Sequence, residues 1–565
     1  MKTRNLLYLQ LPLLDNDAAG ERENFPFAGA YLDHALRRSP EAPYHQTRFA
    51  LTAWDDLDTP HLAEQILKSG TDILACTLYL WNIERTIRLA RHLKQANPAL
   101  RIMAGGPEAA RNHPMLGDAP FDAVVLGEGE GVFPAILAAW RTGARVDFNN
   151  VGIPSAQGLQ YGSQEPPEID LAAAQPSAES LMECIQNRPV VFLETVRGCP
   201  LTCSYCRYYQ LHSGLRALTP EQVIARIRRF RELGATEIRF VDPTFNARRN
   251  FTRLLEALAA LNRDRHLSFF AEIRADTLTA EQARLMAEAN FTEVEVGVQS
   301  IDRQVLKNIC RPNLLERLAK GIQLLCDHGV RTTLDVMYGL PGQSRSDVEA
   351  SLEWCLAFGD QVQVQCMQTL LLPGTTLRAE ATHWNLKSGA LPPYGITSTP
   401  TLSPDEIRDI EILLDEHPLL PADPVTPRFC SQRLAGLFKK QHRIALEDLE
   451  QPIPGKSNRR AMILHGADLF GQRHRIGAFI ERCIQSDPAA LWQFVLEPER
   501  EEPLDLLDEL VHVIRRQPPH LLDRFASAAA FDLTVSRRLF VRLRHSGISQ
   551  EWRNAVENQL RETFG

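Results

Sequence analysis

What this sequence lacks narrows its reading first. It contains no run of eighteen apolar residues, so no segment reads as a membrane-spanning helix. Met1-Lys-Thr-Arg followed by Asn5–Leu14 has the outline of a signal peptide. However, Gln10 and Pro12 interrupt the apolar stretch and no small-residue cleavage site follows, so a buried first strand is expected there. Excess positive charge is also missing: 62 Lys and Arg against 70 Asp and Glu leave a net −8. Non-specific nucleic-acid binding draws on a basic excess, so nucleic acid is not an expected partner. The Arg-rich stretches 226–231 and 537–544 read as solvated helix faces. Internal repeats and low-complexity tracts are absent. A disulfide framework is absent too, because Cys76, Cys184, Cys310, Cys326, Cys355, Cys366, Cys430 and Cys483 are scattered. Scattered thiols suggest a reducing compartment, the cytoplasm. Only Cys199, Cys203 and Cys206 cluster.

At 565 residues the chain is too long for one core, and two to four domains are expected. Its 44% apolar and 23% charged content is that of a globular protein. Residues 1–142 alternate apolar runs with helical patterns. Strands are expected at Asn5–Gln10, Asp72–Cys76, Arg101–Ala104 and Asp122–Leu126, and helices at Phe27–Leu36, Ile83–Gln95 and up to Trp140. This predicts a Rossmann-like parallel sheet, whose ligands lie at the carboxyl ends of its strands. Residues 143–187 are rich in Gly, Pro, Ser, Gln and Asn and read as a linker. Alternation resumes over 188–390 for six rounds, with strands near Pro189–Val196, Glu237–Asp242, Leu267–Arg274, Glu293–Ser300, Arg331–Tyr338 and Val362–Leu371. Capping boxes at Thr219–Gln222 and Thr279–Gln282 open intervening helices. Six βα units predict a partial (β/α)6 barrel, with chemistry at the carboxyl ends of its strands. Residues 391–565 read as a mainly helical domain, with amphipathic helices at Leu504–Arg515 and Pro519–Ala529.

The chemistry-bearing stretch is Glu194-Thr-Val-Arg-Gly-Cys199-Pro-Leu-Thr-Cys203-Ser-Tyr-Cys206, at the end of the first barrel strand. Three thiolates within eight residues converge on one centre only if the chain folds around it, and Gly198 and Pro200 help it turn. A structural zinc wants a fourth ligand, for which His212 is the nearby candidate. A cubane held by three cysteines instead leaves one iron open.

Cys-x3-Cys-x-aromatic-Cys resembles the signature of the radical S-adenosylmethionine (SAM) superfamily. The resemblance implies a 4Fe–4S cluster on Cys199, Cys203 and Cys206, reductive cleavage of SAM to a 5′-deoxyadenosyl radical, and a reductase or flavodoxin-type electron donor. It places Tyr205 near the SAM adenine. It also implies SAM contacts at the ends of later strands, from Asp242, Glu272, Arg274, Gln299, Ser300 and Asp335. A charge inside a buried parallel strand is costly unless paired, so Glu272 and Arg274 have a second reading as each other's partners.

The order of α/β domain, linker and radical SAM barrel resembles the cobalamin-binding branch of the superfamily, over residues 1–380. Its points of likeness are Tyr79-Leu-Trp81-Asn82, Gly105-Gly106-Pro-Glu108 and Gly127-Glu128-Gly-Glu130, which imply cobalamin contacts at Tyr79, Trp81, Asn82, Gly105, Gly106, Gly127 and Glu128. The loop Asp15–Gly20 departs from the Asp-x-His-x-x-Gly pattern, with Asp17 in the histidine's place. The branch's usual chemistry is methylation of an unreactive carbon or phosphorus centre, here on an unknown small molecule or peptide. The alternatives are a radical SAM cyclase, oxidoreductase or rearrangement enzyme without methyl transfer, and a non-catalytic cluster scaffold. A methylthiotransferase would need a second cluster, and residues 1–142 hold only Cys76.

Overall fold

The computed structural model describes residues 3–14, 26–176, 180–182, 190–211, 214–417, 437–525, 536–543 and 547–564. The loop Asp15–Gly20 and His212 lie outside them. No described helix is long and apolar enough to cross a membrane.

The first sheet has seven strands: β1 (Arg4–Leu9), β2 (His45–Phe49), β3 (Ile73–Thr77), β4 (Arg101–Gly105), β5 (Ala123–Val125), β6 (Val151–Ser155) and β7 (Gly158–Tyr161), in the order β2-β1-β3-β4-β5-β6-β7. The first five pair in parallel, as expected. Leu6, Leu7, Ile73 and Leu74 are fully buried, because helices cover both faces. β2 was not foreseen: His-Gln-Thr-Arg-Phe is too polar to read as a buried strand, and it lies at the sheet edge. β6 and β7 correct the linker reading. They form an antiparallel hairpin that extends this sheet, and Gly158, the first residue after the two-residue turn, takes a positive φ that glycine adopts without strain. The chain leaves β1 toward β2 and crosses back to β3, so a crevice opens at the carboxyl ends of β1 and β3.

The second sheet has six parallel strands: β8 (Val190–Leu193), β11 (Glu237–Phe240), β12 (Ser268–Glu272), β13 (Phe291–Gln299), β14 (Arg331–Tyr338) and β15 (Val362–Gln368), side by side in chain order. Between β8 and β11, β9 (Val196–Arg197) and β10 (Arg216–Ala217) pair antiparallel and tie the two ends of the cysteine loop together. β8 and β15 are the edges, so the sheet is open. Along β13, Val294, Val296 and Val298 are buried under helices, while Glu293, Glu295 and Gly297 alternate onto the other face. Both expected capping boxes are present. Past β15, β16 (Lys387–Ser388) and β17 (Ile396–Ser398) form a small hairpin.

Gly321 lies inside the helix Leu315–Asp327, where a Cβ would stand 1.9 Å from the Ala275 carbonyl oxygen. In an exposed helix Gly→Ala stabilises. Here Gly321→Ala is expected to cost about 1–3 kcal/mol, read as a fall in the denaturant midpoint; a gain would show that the helix can shift without loss.

Residues 437–564 correct the mainly helical expectation. Helices flank a four-stranded parallel sheet, β18 (Gln441–Ala445), β19 (Arg459–Gly466), β20 (Leu491–Pro498) and β21 (Arg537–Val541). β20 is buried along its whole length, so it shows no period-two alternation, and periodicity cannot tell such a run from a buried helix. Arg537 and Arg538 are buried in β21 rather than on a solvated helix face. The helix Asp505–Arg515 appears as expected. Of the expected helix Pro519–Ala529, one turn over Leu521–Arg524 forms, and 526–529 lie outside the described residues. This unit docks on the first through buried polar contacts. Arg460 pairs with Asp58 at 3.1 Å, Asp487 accepts from Thr59 N at 2.7 Å, and Asn458 Nδ2 donates to the Asp55 carbonyl at 2.6 Å.

Candidate active site

The cysteine loop is held from its first residue. Asp242, fully buried at the end of β11, accepts from Thr195 N at 2.6 Å and Val196 N at 2.8 Å, and pairs with Arg248 at 3.3 Å. Burial pushes its carboxyl up to about 6, against the pull of Arg248 and these donors. Asp242 was expected to touch SAM, but the structure commits it to the loop's backbone. Gly198 then turns the chain with φ +86°, and a Cβ there would stand 2.0 Å from the Gly214 carbonyl oxygen.

Cys199, Cys203 and Cys206 line one cavity of about 180 Å³. Thr244 Oγ1 lies 3.6 Å from Cys199 Sγ, Arg311 Nη1 donates to Cys203 Sγ at 3.7 Å, and Tyr208 N donates to Cys206 Sγ at 3.4 Å. Burial pushes the Cys206 thiol up to about 11. Among the described residues no three His, Cys, Asp or Glu side chains are arranged to hold a single metal ion. A zinc ion would need its thiolates within about 2.3 Å of one point. Three thiols lining one cavity match a cluster in which each takes a different iron.

Of the expected SAM contacts, Tyr205, Glu272, Arg274, Gln299 and Asp335 line the same cavity, and Ser300 does not. The Ser300 hydroxyl accepts from Asp302 N at 3.1 Å and is buried. Arg274 pairs with Asp276 rather than Glu272. Glu272 faces the cavity's interior, open to it yet enclosed by protein. Burial first, then Glu295 and Asp242, push its carboxyl up to about 7. Asp335 accepts from Gln365 Nε2 at 2.6 Å, and burial with Glu295 pushes it up to about 8. Gln299 is held at φ +67° where β13 shifts register, and its Oε1 is buried without a partner among the described residues. An orphaned buried acceptor beside carboxyls that have no cationic partner among the described residues fits a polar, cationic cofactor such as SAM. Sequence reasoning missed Glu295 and Arg311. Glu295 was legible as a charge in register with Gln299 on β13. Arg311 lies in a loop and carries no sequence signal, yet it bridges Cys203 Sγ, the Tyr205 hydroxyl at 3.2 Å and the Gly297 carbonyl at 2.5 Å.

Raised carboxyl pKa values mean that the folded chain holds protons the unfolded chain has lost. Their contribution to stability is greatest below about pH 4 and is lost as pH rises through about 7 and 8. The apo-protein is therefore expected to melt at falling temperature from pH 5 to pH 8, and Glu272→Gln to flatten that slope. An unchanged slope in the variant would remove Glu272 as its source.

A second cavity, about 250 Å³, opens at the β1/β3 crevice. Tyr79, Gly105, Gly106, Gly127 and Glu128 line it from the first domain, and Glu194, Arg197 and Val241 from the second. Gly106 has φ +109°, and a Cβ there would stand 2.8 Å from the Leu78 carbonyl oxygen. A Cβ on Gly127 would stand 2.9 Å from the Leu211 carbonyl oxygen. The buried hydroxyls of Tyr8 and Tyr31 line this cavity without partners among the described residues. Glycine is required at positions 106 and 127 by that close approach of the chain's own backbone, while the orphaned hydroxyls fit a ligand edged with amides, as a corrin is. Trp81 stacks on Tyr79 at 4.4 Å but stands outside the lining. Asn82 is buried and pins its own loop: it donates to the carbonyls of Leu11 and Thr77 and accepts from Tyr79 N. Where the two domains meet, Arg197 contacts Glu128, Glu130 and Glu194, and Arg216 pairs with Glu128.

Residues 193–355 match the family model of the radical SAM superfamily, and residues 48–137 match that of the B12 binding domain. The chain is 26% identical over 326 residues to an anaerobic magnesium-protoporphyrin IX monomethyl ester cyclase of Rubrivivax gelatinosus, covering 54% of this chain and 58% of that protein. It is 24% identical over 383 residues to a 2-(S-pantetheinyl)-carbapenam-3-carboxylate methyltransferase of Streptantibioticus cattleyicolor, covering 61% and 54%. The chain thus spans little more than half the length of these relatives. In fold it is similar to the radical SAM methyltransferase TsrM of Kitasatospora setae, with TM-score 0.56, 14% identity, and coverage of 71% of this chain and 80% of that one.

Proposed function

For a chain that carries a radical SAM domain beside a B12-binding domain, we propose a cobalamin-dependent radical SAM enzyme that methylates an unactivated centre of a small molecule or peptide. The observation that carries this reading is the junction of the two cavities. The Tyr208 hydroxyl donates to the Val241 carbonyl at 2.9 Å. Tyr208 lines the thiol cavity and Val241 the other. The cysteine loop therefore stands between two sites whose contents must meet.

Cys199, Cys203 and Cys206 would hold a 4Fe–4S cluster, and the lining of the β1/β3 crevice a cobalamin. When bound, the cluster with SAM supplies a carbon-centred radical and the cobalamin a methyl group. The chain's own work is to bind, orient and exclude water. Asp242 fixes the start of the cysteine loop. Arg311 donates to Cys203 and Tyr205, setting the thiolate and the ring in one geometry. Glu272, Gln299 and Asp335 would offer acceptors to SAM, and Gly105, Gly106 and Gly127 would lie in the lining around the corrin. An oxygen-sensitive cluster and free thiols suit the cytoplasm, and a flavodoxin-type protein would supply the electron.

Anaerobic reconstitution with iron, sulfide and hydroxocobalamin tests the reading. About four irons per chain with a retained corrin band is the expected result. Incubation with methyl-deuterated SAM and dithionite should then give 5′-deoxyadenosine. Iron without corrin would favour the second reading, a radical cyclase or oxidoreductase, which the cyclase among the relatives supports. Loss of both would reopen the zinc reading.

A further inference from the structure

One short helix packs against the cysteine loop at Tyr205. The helix Arg303–Asn308 turns Val305 and Leu306 inward, with Ile309 just beyond its end, against Tyr205, Met337 and Leu340. The backbone continues this contact, since Ser204 N donates to the Ile309 carbonyl at 3.0 Å. Arg311, two residues on, reaches the Cys203 sulfur.

The outer surface has a different character. Arg303 and Lys307 are exposed and stand four residues apart, so they share one helix face. Arg317 and Lys320 are exposed on the first turns of the helix Leu315–Asp327. None of the four has an ion-pair partner among the described residues. Over residues 303–320 the exposed charges are these four basic side chains and one acidic, Glu316, in a chain of net charge −8, Arg311 being turned inward. Leu314 stands among them, 56% exposed. Unpaired charge of one sign around an apolar residue is the character of a surface that steers a partner of opposite charge.

We propose that this face is the docking surface for an acidic one-electron donor of the flavodoxin class, an inference that rests on the cluster reading above. The donor's reduced flavin gives up one electron and the cluster gains it, with no bond made and no proton moved to the chain. The route crosses one helix, about 10 Å thick with its side chains.

The full-length reconstituted chain, Arg303→Glu/Lys307→Glu and Arg317→Glu/Lys320→Glu test this. Binding of a bacterial flavodoxin of net negative charge is measured by calorimetry between about 50 and 300 mM salt. 5′-Deoxyadenosine formation is measured with reduced flavodoxin and, separately, with dithionite. The unaltered chain should lose affinity roughly tenfold across that salt range, and each double variant should bind roughly tenfold more weakly at low salt. Flavodoxin-driven product should fall in step while dithionite-driven product stays level. The level dithionite reaction also shows that the variants are folded and loaded. Flavodoxin affinity unmoved by charge reversal overturns the surface, as does preference for a short RNA over flavodoxin. No product with dithionite in the unaltered chain overturns the cluster reading, and the surface with it.

Discussion

Cys203→Ala is expected to abolish iron retention and SAM cleavage while leaving the fold intact. Cys203 is 4% exposed and lines the thiol cavity with Cys199 and Cys206. Its sulfur is one of three acceptors for Arg311, so its loss removes one thiolate and leaves that guanidinium held by the Tyr205 hydroxyl and the Gly297 carbonyl. A cluster held by three cysteines has none to spare. Alanine removes one small buried side chain, at a stability cost of about 1–3 kcal/mol, which a molecule of this size tolerates. Far-ultraviolet circular dichroism of the anaerobic variant should match the unaltered chain, while its iron content and deoxyadenosine yield fall to background. Retention of near-normal iron would mean that another residue supplies a ligand, and the three-thiolate assignment would not survive it.

Arg197→Ala is expected to have the largest effect on the coupling of the two domains. Arg197 is 5% exposed and stands between Glu194 of its own domain and Glu128 and Glu130 of the first. Glu130 and Glu194 hold its charged form strongly against the cost of burial. Removing it leaves a group of half-buried carboxylates with one nearby guanidinium, Arg216, which already contacts Glu128. Breaking a buried pair by deleting one partner costs about 3–5 kcal/mol, because the remaining charge stays desolvated. Arg197 also lines the B12-type cavity and begins the turn into Cys199. The variant is therefore expected to melt lower and to retain less corrin after gel filtration, with iron content less affected. Arg197→Lys should recover only part of the loss, since an ammonium lacks the planar fork that spans several carboxylates. Unchanged melting and corrin retention would show that the domains are held elsewhere, for instance by the Tyr394 hydroxyl, which donates to Glu108 Oε2 at 3.2 Å.

Much of this was legible in the chain because local chemistry leaves local marks. Hydrophobic runs bounded by turns placed β1, β3, β4 and β5 and the six strands of the second sheet within a few residues. The spacing of Cys199, Cys203 and Cys206, right after a strand, marked the site. Strand-end position placed Glu272 and Gln299 at one cavity, and Asp335, inside β14 and paired in register with Gly297, opens onto the same space. Glycines at 105, 106 and 127 marked the second cavity.

Where strand-end position misled, a partner distant in sequence was the cause. Asp242 and Ser300 also sit at strand ends, but Asp242 accepts from Thr195 and Val196, 47 and 46 residues earlier. Asn82 looked like a ligand contact and instead ties its loop to Leu11. A side chain's hydrogen-bonding capacity is finite, and sequence does not show which distant backbone consumes it. The sheet of the last unit escaped for a different reason: fully buried strands such as β20 lack the alternation that identifies a strand.

By itself, then, the sequence determined the two leading parallel sheets, the three thiols and the glycine-lined crevice. Each rests on residue types at short, fixed spacing. Only the tertiary structure decided that the thiol cavity and the crevice lie back to back across Tyr208 and Val241, that Arg311 serves the cysteines, and that Arg197 locks the domains together. Those contacts join groups scores of residues apart, and burial alone selects among them: a charge removed from water must find a partner, and folding decides which one is within reach.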